Sequence, residues 1–210
     1  MKKITFAIVI ILCLIAFRYY FSHPSNTNGS APYNKSNQAK DTERARLQAK
    51  AKEARQFARQ KNYSTRICFL VDMNLSSGKK RFFVYDLVAD TVLTAGLVAH
   101  GSCNRNYLRE GQFSNTPDCS CSSLGKYLIS YKYKGKFGDA FKLYGLDSSN
   151  SNAFNRFIVL HGYSCVPDYE TYPQTICNSL GCPMVSYRFL NSLAAYIQQS
   201  PKPIVLWMFQ

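Results

Sequence analysis

The sequence predicts a mainly β fold with one or two helices (α+β), preceded by an N-terminal membrane anchor and a basic helix. Three observations support this prediction: an apolar run at the N-terminus, a basic segment with an Ala-rich stripe, and short apolar and β-branched runs separated by turn residues from residue 63 onward. The predicted parts are an anchor at 1–21, a tether and basic helical stalk at 22–62, and a β-rich domain at 63–210.

Composition and charge exclude several classes of protein. The chain is 46% hydrophobic and 18% charged, which is too apolar for a disordered protein, and eight cysteines in 210 residues are too few for a disulfide miniprotein. The net charge of +14 is uneven, since residues 1–62 hold 12 Lys and Arg against 3 Asp and Glu, whereas residues 63–210 hold 14 against 9. Because most of the excess lies outside the predicted domain, we expect no nucleic-acid partner.

The first 21 residues have the layout of an export signal. A basic start at Lys2 and Lys3 precedes an unbroken apolar run from Ile4 to Phe17, and Arg18 and three aromatic residues follow. Fourteen helical residues span about 21 Å, and the run on to Phe21 spans about 27 Å, close to the roughly 30 Å of a bilayer core. We expect an uncleaved signal anchor in the inner membrane, with a cleaved signal peptide as the alternative; both place the remaining chain on the periplasmic side.

The segment between the anchor and the domain changes character near residue 38. Residues 22–37 are rich in Ser, Asn, Pro and Gly, which predicts a tether. Residues 38–61 predict a helix with a thin apolar stripe at spacings of 4, 3 and 4. The stripe consists of Leu47, Ala51, Ala54 and Ala58. A basic stalk that binds anionic lipid headgroups or wall polymer is one interpretation, and a solvated spacer helix is the other.

The domain from residue 63 onward predicts a succession of strands. They are Ile67 to Val71, Arg81 to Val88, Thr91 to Ala99, Tyr127 to Tyr133, Ala140 to Leu146, Arg156 to His161 and Ile204 to Phe209. Two long loops, 100–126 and 162–180, interrupt the pattern, and loops of that length are usually functional or covalently tied. Tyr187 to Gln199 predicts a helix, since its apolar residues share one face and Pro201 follows it.

One histidine and one cysteine are the candidates for nucleophilic chemistry. His161 ends an apolar strand and precedes Gly162, which leaves the imidazole at a strand edge. Cys182 follows Gly181 and precedes Pro183. A thiol reacts as its thiolate and needs a base within hydrogen-bond reach, and a neighbouring glycine lets backbone N–H groups approach an oxyanion. This pattern favours a Cys182 nucleophile with His161 as base, oriented by a nearby backbone carbonyl; a buried, inert cysteine is the competing interpretation.

Six stretches of the chain carry a resemblance to a known family. They are Phe82 to Leu87, Gly96 to Gly101, Ser122 to Tyr127, Leu143 to Leu146, Val159 to Gly162, and Ser179 to Cys182. Together they resemble the YkuD-like murein L,D-transpeptidases, and the cysteine motif is closest to the branch that ends in Gly-Cys-Pro. The resemblance implies a β-sandwich or barrel-like catalytic domain.

The resemblance also implies an activity on peptidoglycan stem peptides. Cys182 would attack the carbonyl that joins the L-centre of stem residue 3 to the fourth-position D-alanine, with His161 as base, and the resulting thioester would be resolved by an amine of a neighbouring stem to give a 3-3 crosslink. The supporting residues that it implies are Gly181, Gly162 and Ser179 around the oxyanion, and His100 and Ser123 at the substrate. For His100, a purely structural role is the alternative.

Basic side chains of the domain are expected to attract the carboxylates of the stem peptide. They are Arg105, Arg109, Lys126, Lys132, Lys134, Lys136, Lys142 and Arg156. A merely solvated basic surface is the alternative for each of them. No cofactor is expected.

Cysteines other than Cys13 and Cys182 form an even set, which outside the cytoplasm indicates disulfides with 15 possible pairings. The set is Cys68, Cys103, Cys119, Cys121, Cys165 and Cys177. A bond between Cys165 and Cys177 would join the segment that follows His161 to the segment that precedes Cys182. A zinc site at Cys119 and Cys121 is disfavoured, because a one-residue gap is not the usual ligand spacing.

Three other functions remain open at this stage. Water instead of an amine would make the protein an L,D-carboxypeptidase. A sortase-like transpeptidase also places His before Cys, but the interval here is short and Arg188 follows the cysteine by only six residues. The third alternative is a non-catalytic module that tethers the membrane to the wall.

Overall fold

The computed structural model describes residues 17–19 and 32–210. The chain divides into two compact units, Met1–Asp41 and Thr42–Gln210. In the first unit, residues 17–19 are helical and helix α1 (Pro32–Lys61) begins. The predicted anchor at 1–21 and most of the tether lie outside the described residues. Within the described part of the chain, no helix combines the length and apolar character needed to cross a bilayer.

Eight strands form one mixed sheet in the described part of the second unit. In chain order they are β1 (Ile67–Asp72), β2 (Phe82–Asp86), β3 (Thr91–Gly96), β4 (Gly125–Gly135), β5 (Gly138–Gly145), β6 (Val159–Gly162), β7 (Met184–Val185) and β8 (Val205–Phe209). The spatial order is β3-β2-β1-β8-β4-β5-β6-β7. The pairs β1–β8 and β6–β7 are parallel, and the others are antiparallel.

Each predicted strand overlaps an observed strand, so the mainly β prediction is confirmed. The β-sandwich or barrel-like arrangement stays a prediction; an isolated bridge pairs Ala99, after β3, with Met184 of β7 at the other end of the sheet. Both faces of the sheet are buried. Alternate residues of β1 show this: Cys68 and Leu70 pack in one buried cluster, whereas Phe69 and Val71 pack in another.

Helix α1 covers the first of these faces from Thr42 onward. The stripe at Leu47, Ala51 and Ala54 is buried against the face of β1 and β2. Alanine side chains let the helix approach the sheet closely, and Arg46 adds an ion pair of 2.6 Å with the buried Asp72. This part of the helix is therefore not a solvated spacer, and the predicted domain start at residue 63 falls inside the second unit.

Helix α2 (Tyr187–Gln199) covers the opposite face and has the predicted bounds. The side chain of Ser186 caps it by accepting a hydrogen bond from the Phe189 amide at 3.1 Å. Its apolar side packs into the cluster on the other sheet face through Phe189, Leu190 and Leu193. Because α2 directly follows β7, its docking also fixes the end of the segment that carries Cys182.

Candidate active site

The thiol of Cys182 lies beside the start of β6. Its Sγ accepts a hydrogen bond from the Val159 amide at 3.4 Å and donates to the Phe157 carbonyl at 3.7 Å. Val159 precedes His161 by two residues on β6, and His161 pairs with Met184, two residues after Cys182. The parallel β6–β7 pair therefore brings the candidate nucleophile and the candidate base to the same end of the sheet.

The imidazole of His161 is oriented by a main-chain carbonyl, as the sequence suggested. Nδ1 lies 3.1 Å from the Gly162 oxygen, and the ring of Phe137 stacks on it with centroids 5.1 Å apart. A carbonyl only accepts, so Nδ1 carries the proton and Nε2 carries the lone pair. Among the described residues Nε2 has no hydrogen-bond partner, and the thiol is bonded to main-chain atoms rather than to the ring.

Both groups are held in their neutral forms. Burial raises the pKa of the Cys182 thiol, and the Val159 amide and the positive charges of Arg156 and Lys142 offset part of this effect. Burial lowers the pKa of His161, partly opposed by its bond to Gly162. The resting pair therefore consists of a neutral thiol and a neutral imidazole, and the thiol needs a base to react, as the sequence predicts.

A network of serines fixes the loop that presents Cys182. Ser179 Oγ accepts from the Gly181 amide at 3.1 Å and donates to the Cys182 carbonyl at 2.7 Å. The buried Ser122 donates to the Gly181 carbonyl at 3.0 Å. Gly181 has a φ of 110°, and a Cβ there would lie 2.7 Å from the Cys121 oxygen. Only glycine fits this position. Ser179 supports the loop through these two bonds, and its role around the oxyanion stays a prediction.

Arg156 joins the same loop to the segment around Cys121. Its Nη1 donates to Ser123 Oγ at 2.6 Å and to the Ser114 carbonyl at 2.9 Å. Its Nη2 donates to the Cys121 carbonyl and to Cys119 Sγ. The sequence proposed Arg156 as part of a field for substrate; its contacts instead make it an internal brace.

Ser123 and Gly162, two of the predicted site residues, are both buried. Ser123 donates to the Ser114 carbonyl at 3.0 Å in addition to accepting from Arg156. A Cβ on Gly162 would lie 2.6 Å from the ring of Tyr187, so this position requires glycine at the junction with α2. Both residues therefore have structural roles beneath the protein surface. A contact of Ser123 with substrate remains a prediction.

His100 is completely buried and its ring is fully engaged. Nδ1 accepts from Arg81 Nη2 at 2.9 Å, and Nε2 lies 3.0 Å from the Leu108 carbonyl. Burial, assisted by the charge of Arg81, lowers the pKa of His100 to about 4. These contacts favour the structural alternative, in which His100 ties the loop after β3 to the residues before Cys182.

Two disulfides occur among the described cysteines, Cys103–Cys121 and Cys165–Cys177. Cys68, Cys119 and Cys182 keep free thiols, so the expectation that all six remaining cysteines pair is wrong. Cys68 is buried in the apolar cluster under α1, and this cluster contains no other cysteine among the described residues. The Cys103–Cys121 bond also removes two of the thiols that a zinc site would need.

The Cys165–Cys177 bond is expected to stabilise the fold and the site together. It closes a ring of sequence separation 12, whose residues Val166 and Ile176 pack with Met184 of β7. By chain entropy, the double variant Cys165→Ser/Cys177→Ser should lose about 3 kcal/mol of unfolding free energy, measured by urea denaturation. Peptide mapping without reduction should recover the two cysteines as one linked peptide; both recovered as free thiols would contradict this account.

Comparisons with known proteins identify related domains. The sequence profile of the family described as "L,D-transpeptidase catalytic domain" matches residues 38–206. No curated protein gives a significant match. Among solved structures, the L,D-transpeptidase from Xylanimonas cellulosilytica is similar at 15% identity and a TM-score of 0.38, with 73% of this chain and 68% of that chain covered.

Two further structures are similar over a comparable part of this chain. The helical cell shape determining protein Pgp2 from Campylobacter jejuni has 12% identity and a TM-score of 0.41, with 69% and 47% of the two chains covered. The L,D-transpeptidase from Mycobacterium smegmatis has 12% identity and a TM-score of 0.38, with 69% and 59% covered. This chain therefore spans about half to two thirds of the length of these proteins.

Proposed function

This chain belongs to the L,D-transpeptidase catalytic domain family, and we propose that it transfers the acyl group of a peptidoglycan stem peptide through a thioester on Cys182. The observation that carries this proposal is the pairing of β6 with β7, which brings the Cys182 thiol and the His161 imidazole to the same end of the sheet, with Nε2 unbonded among the described residues. Pro183 after Cys182 supports assignment to the Gly-Cys-Pro branch of the family.

Acylation begins from the neutral pair. The Cys182 sulfur attacks the carbonyl of stem residue 3 while its proton passes to His161 Nε2, a transfer that avoids forming a free buried thiolate. His161 then gives the proton to the nitrogen of the D-alanine as the amide bond breaks. The products are a thioester on Cys182 and a free D-amino acid. In a structure without substrate the thiol–imidazole hydrogen bond is commonly long, and substrate binding is the step that tightens it.

The amide of Cys182 itself is the best donor to the developing oxyanion. Gly181 N–H is already bonded to Ser179 Oγ, whereas the Cys182 N–H has no partner among the described residues. Of the backbone N–H groups around Gly181 and Cys182 that could form the oxyanion hole, the N–H of Cys182 is therefore favoured. The fixed φ of Gly181 and the bonds of Ser122 and Ser179 keep that amide in place.

Resolution of the thioester decides the product. An amine on the third residue of a neighbouring stem attacks the thioester, forms a 3-3 crosslink and returns the thiol, whereas water would release a tripeptide stem. We place this reaction on the periplasmic side of the cell envelope, where the stem peptides are, with the predicted anchor at 1–21 as the membrane attachment.

Product analysis tests this proposal. The full chain incubated with a disaccharide-tetrapeptide should yield a dimer that has lost one D-alanine, detected by liquid chromatography and mass spectrometry. Disaccharide-tripeptide alone would identify a carboxypeptidase instead. Unchanged substrate, in spite of measurable binding, would contradict the enzymatic proposal and favour a wall-binding module.

A further inference from the structure

Lys142 is a cation near Cys182 that has no acidic partner in the described part of the chain. Its Nζ lies 5.0 Å from the ring centre of Phe154, 5.2 Å from that of Phe157 and 5.9 Å from that of Tyr133. Among the described residues no carboxylate pairs with it, whereas Lys132 on the same hairpin is paired with Asp139 at 2.7 Å. Aromatic faces hold an ammonium group but leave its charge uncompensated, so it remains able to bind an anion.

The strand register places this cation at the candidate nucleophile. Lys142 on β5 pairs with Val159 on β6, and the Val159 amide is hydrogen-bonded to the Cys182 thiol. Ala140, two residues before Lys142, pairs with His161. Because residues two apart on a strand share a face, Lys142 and His161 project from the same side of the sheet. An anion bound by Lys142 would therefore lie next to the reacting atoms.

Arg156, the other positive charge near the thiol, is not available in the same way. Its guanidinium donates to Ser114, Cys119, Cys121 and Ser123 of the protein itself. Lys142 has no such hydrogen bonds among the described residues. The two cations consequently have different tasks, since Arg156 braces the loop and Lys142 keeps its donors for a ligand.

Two of the rings around Lys142, those of Phe154 and Phe157, are exposed to solvent. Phe157 is 75% exposed and has a φ of 56°, a left-handed conformation that bulky residues rarely adopt. Phe154 is also exposed and stacks on Tyr144 with centroids 4.8 Å apart. The backbone strain at Phe157 and the exposure of both rings each lower the stability of the fold. Strained positions and exposed apolar patches are common at ligand sites.

We propose that Lys142 binds the α-carboxylate of the D-amino acid that leaves the donor stem, and thereby selects stems that end at the scissile residue. This inference rests on the proposed function. In such a stem the terminal carboxylate is separated from the scissile carbonyl only by a nitrogen and an α-carbon, a span of about 3 to 4 Å. A cation that flanks the nucleophile is therefore within reach of this carboxylate when the carbonyl lies at Cys182.

Equilibrium binding to the full chain carrying Cys182→Ala tests the proposal without requiring chemistry. Three stem tetrapeptides are compared by calorimetry: one with a free C-terminal carboxylate, one with a C-terminal amide, and one amidated at the side-chain carboxylate of residue 3. We expect the free acid to bind about tenfold more tightly than the C-terminal amide, as for a charge-assisted pair. Amidation at residue 3 should have a much smaller effect.

Second-site variants in this background separate Lys142 from general charge. Lys142→Gln should reduce binding of the acid to the level of the C-terminal amide, and Lys142→Arg should restore most of the preference. Lys134→Gln is the matched control, because it removes the same charge from the other face of the hairpin. Tyr133 pairs with Ala140 and so shares the face of Lys142, and the adjacent Lys134 points to the opposite face. Thermal unfolding of each variant checks that the fold is retained.

The possible results distinguish this inference from the proposed function. Equal affinity for acid and amide, an equal loss for both peptides in Lys142→Gln, or a preference that follows the residue 3 carboxylate would each overturn the role of Lys142. A carboxylate preference that depends on Lys142, in a protein whose Cys182 never forms a thioester, would retain the subsite and overturn the transferase. Binding of none of the peptides would overturn both.

Discussion

Replacement of Cys182 by alanine is expected to abolish product formation from the stem tetrapeptide, with a loss of at least about a thousandfold in kcat. Without the sulfur no thioester forms, and the remaining groups supply neither a nucleophile nor a way to hold the acyl group. The rate of D-alanine release from purified protein is the measurement. Binding of the substrate should be nearly unchanged, because the alanine removes only one atom from the site.

Cys68→Ala is the matched control for this substitution. Cys68 also keeps a free thiol, but it is buried under α1 on the far face of the sheet, and burial raises its pKa strongly. The Cys68→Ala variant should retain full activity, and its free energy of unfolding should fall modestly. Substantial D-alanine release by Cys182→Ala, or its loss in Cys68→Ala with the fold intact, would be incompatible with a Cys182 nucleophile.

Replacement of His161 by alanine is expected to slow acylation by about 100- to 10,000-fold, the usual range for loss of a general base. The neutral thiol, whose pKa burial raises, would then have no acceptor for its proton. The pH profile separates this role from a structural one. Burial lowers the pKa of His161 below its ordinary 6.5, so the base form persists below that pH and is lost only as the pH falls through the lowered value.

Wild-type acylation should accordingly be flat near neutrality and should fall on the acid side with a midpoint below 6.5. The His161→Ala variant should lose this acid limb and gain rate steadily as the pH rises, because only thiolate already formed can react. Circular dichroism and thermal unfolding establish that the variant is folded. An acid limb of the same midpoint in both proteins would assign it to another group and exclude His161 as the base.

Local patterns in the sequence were sufficient for most elements of the fold. Helix α2 has the bounds predicted from its apolar face and from the proline beyond its end. The strands follow from short β-branched and aromatic runs. Strand β7 was missed because it has only two residues, between Pro183 and the helix cap, and its pairing with β6 is a tertiary contact.

Helix α1 was predicted as a helix, but its packing was not. A stripe of three alanines and one leucine is too weakly apolar to indicate burial by itself. Its partner surface is formed by residues that alternate along β1 and β2, and the sequence does not show which face of the sheet lacks a cover.

In the candidate site, too, the residues with a local sequence pattern could be predicted, whereas the long-range contacts could not. Cys182 and His161 were predicted from their local sequence and the family resemblance, and the orienting carbonyl was predicted near Gly162 or Tyr163 without a choice between them. The brace from Arg156 and the bond from Ser122 to Gly181 join residues 33 to 59 positions apart, and no local spacing indicates such contacts. The different roles of Arg156 and Lys142 could not be predicted either, because they depend on which of the two cations has hydrogen-bond acceptors within the folded protein.

The most direct test of the account is the mass of the protein during turnover. Wild-type protein mixed with disaccharide-tetrapeptide and quenched within the first turnovers should carry an adduct equal to the substrate less D-alanine, mapped to the peptide that contains Cys182 and absent from Cys182→Ala. Product formation with no adduct under conditions that trap thioesters, or an adduct on another residue, would contradict the central role of Cys182.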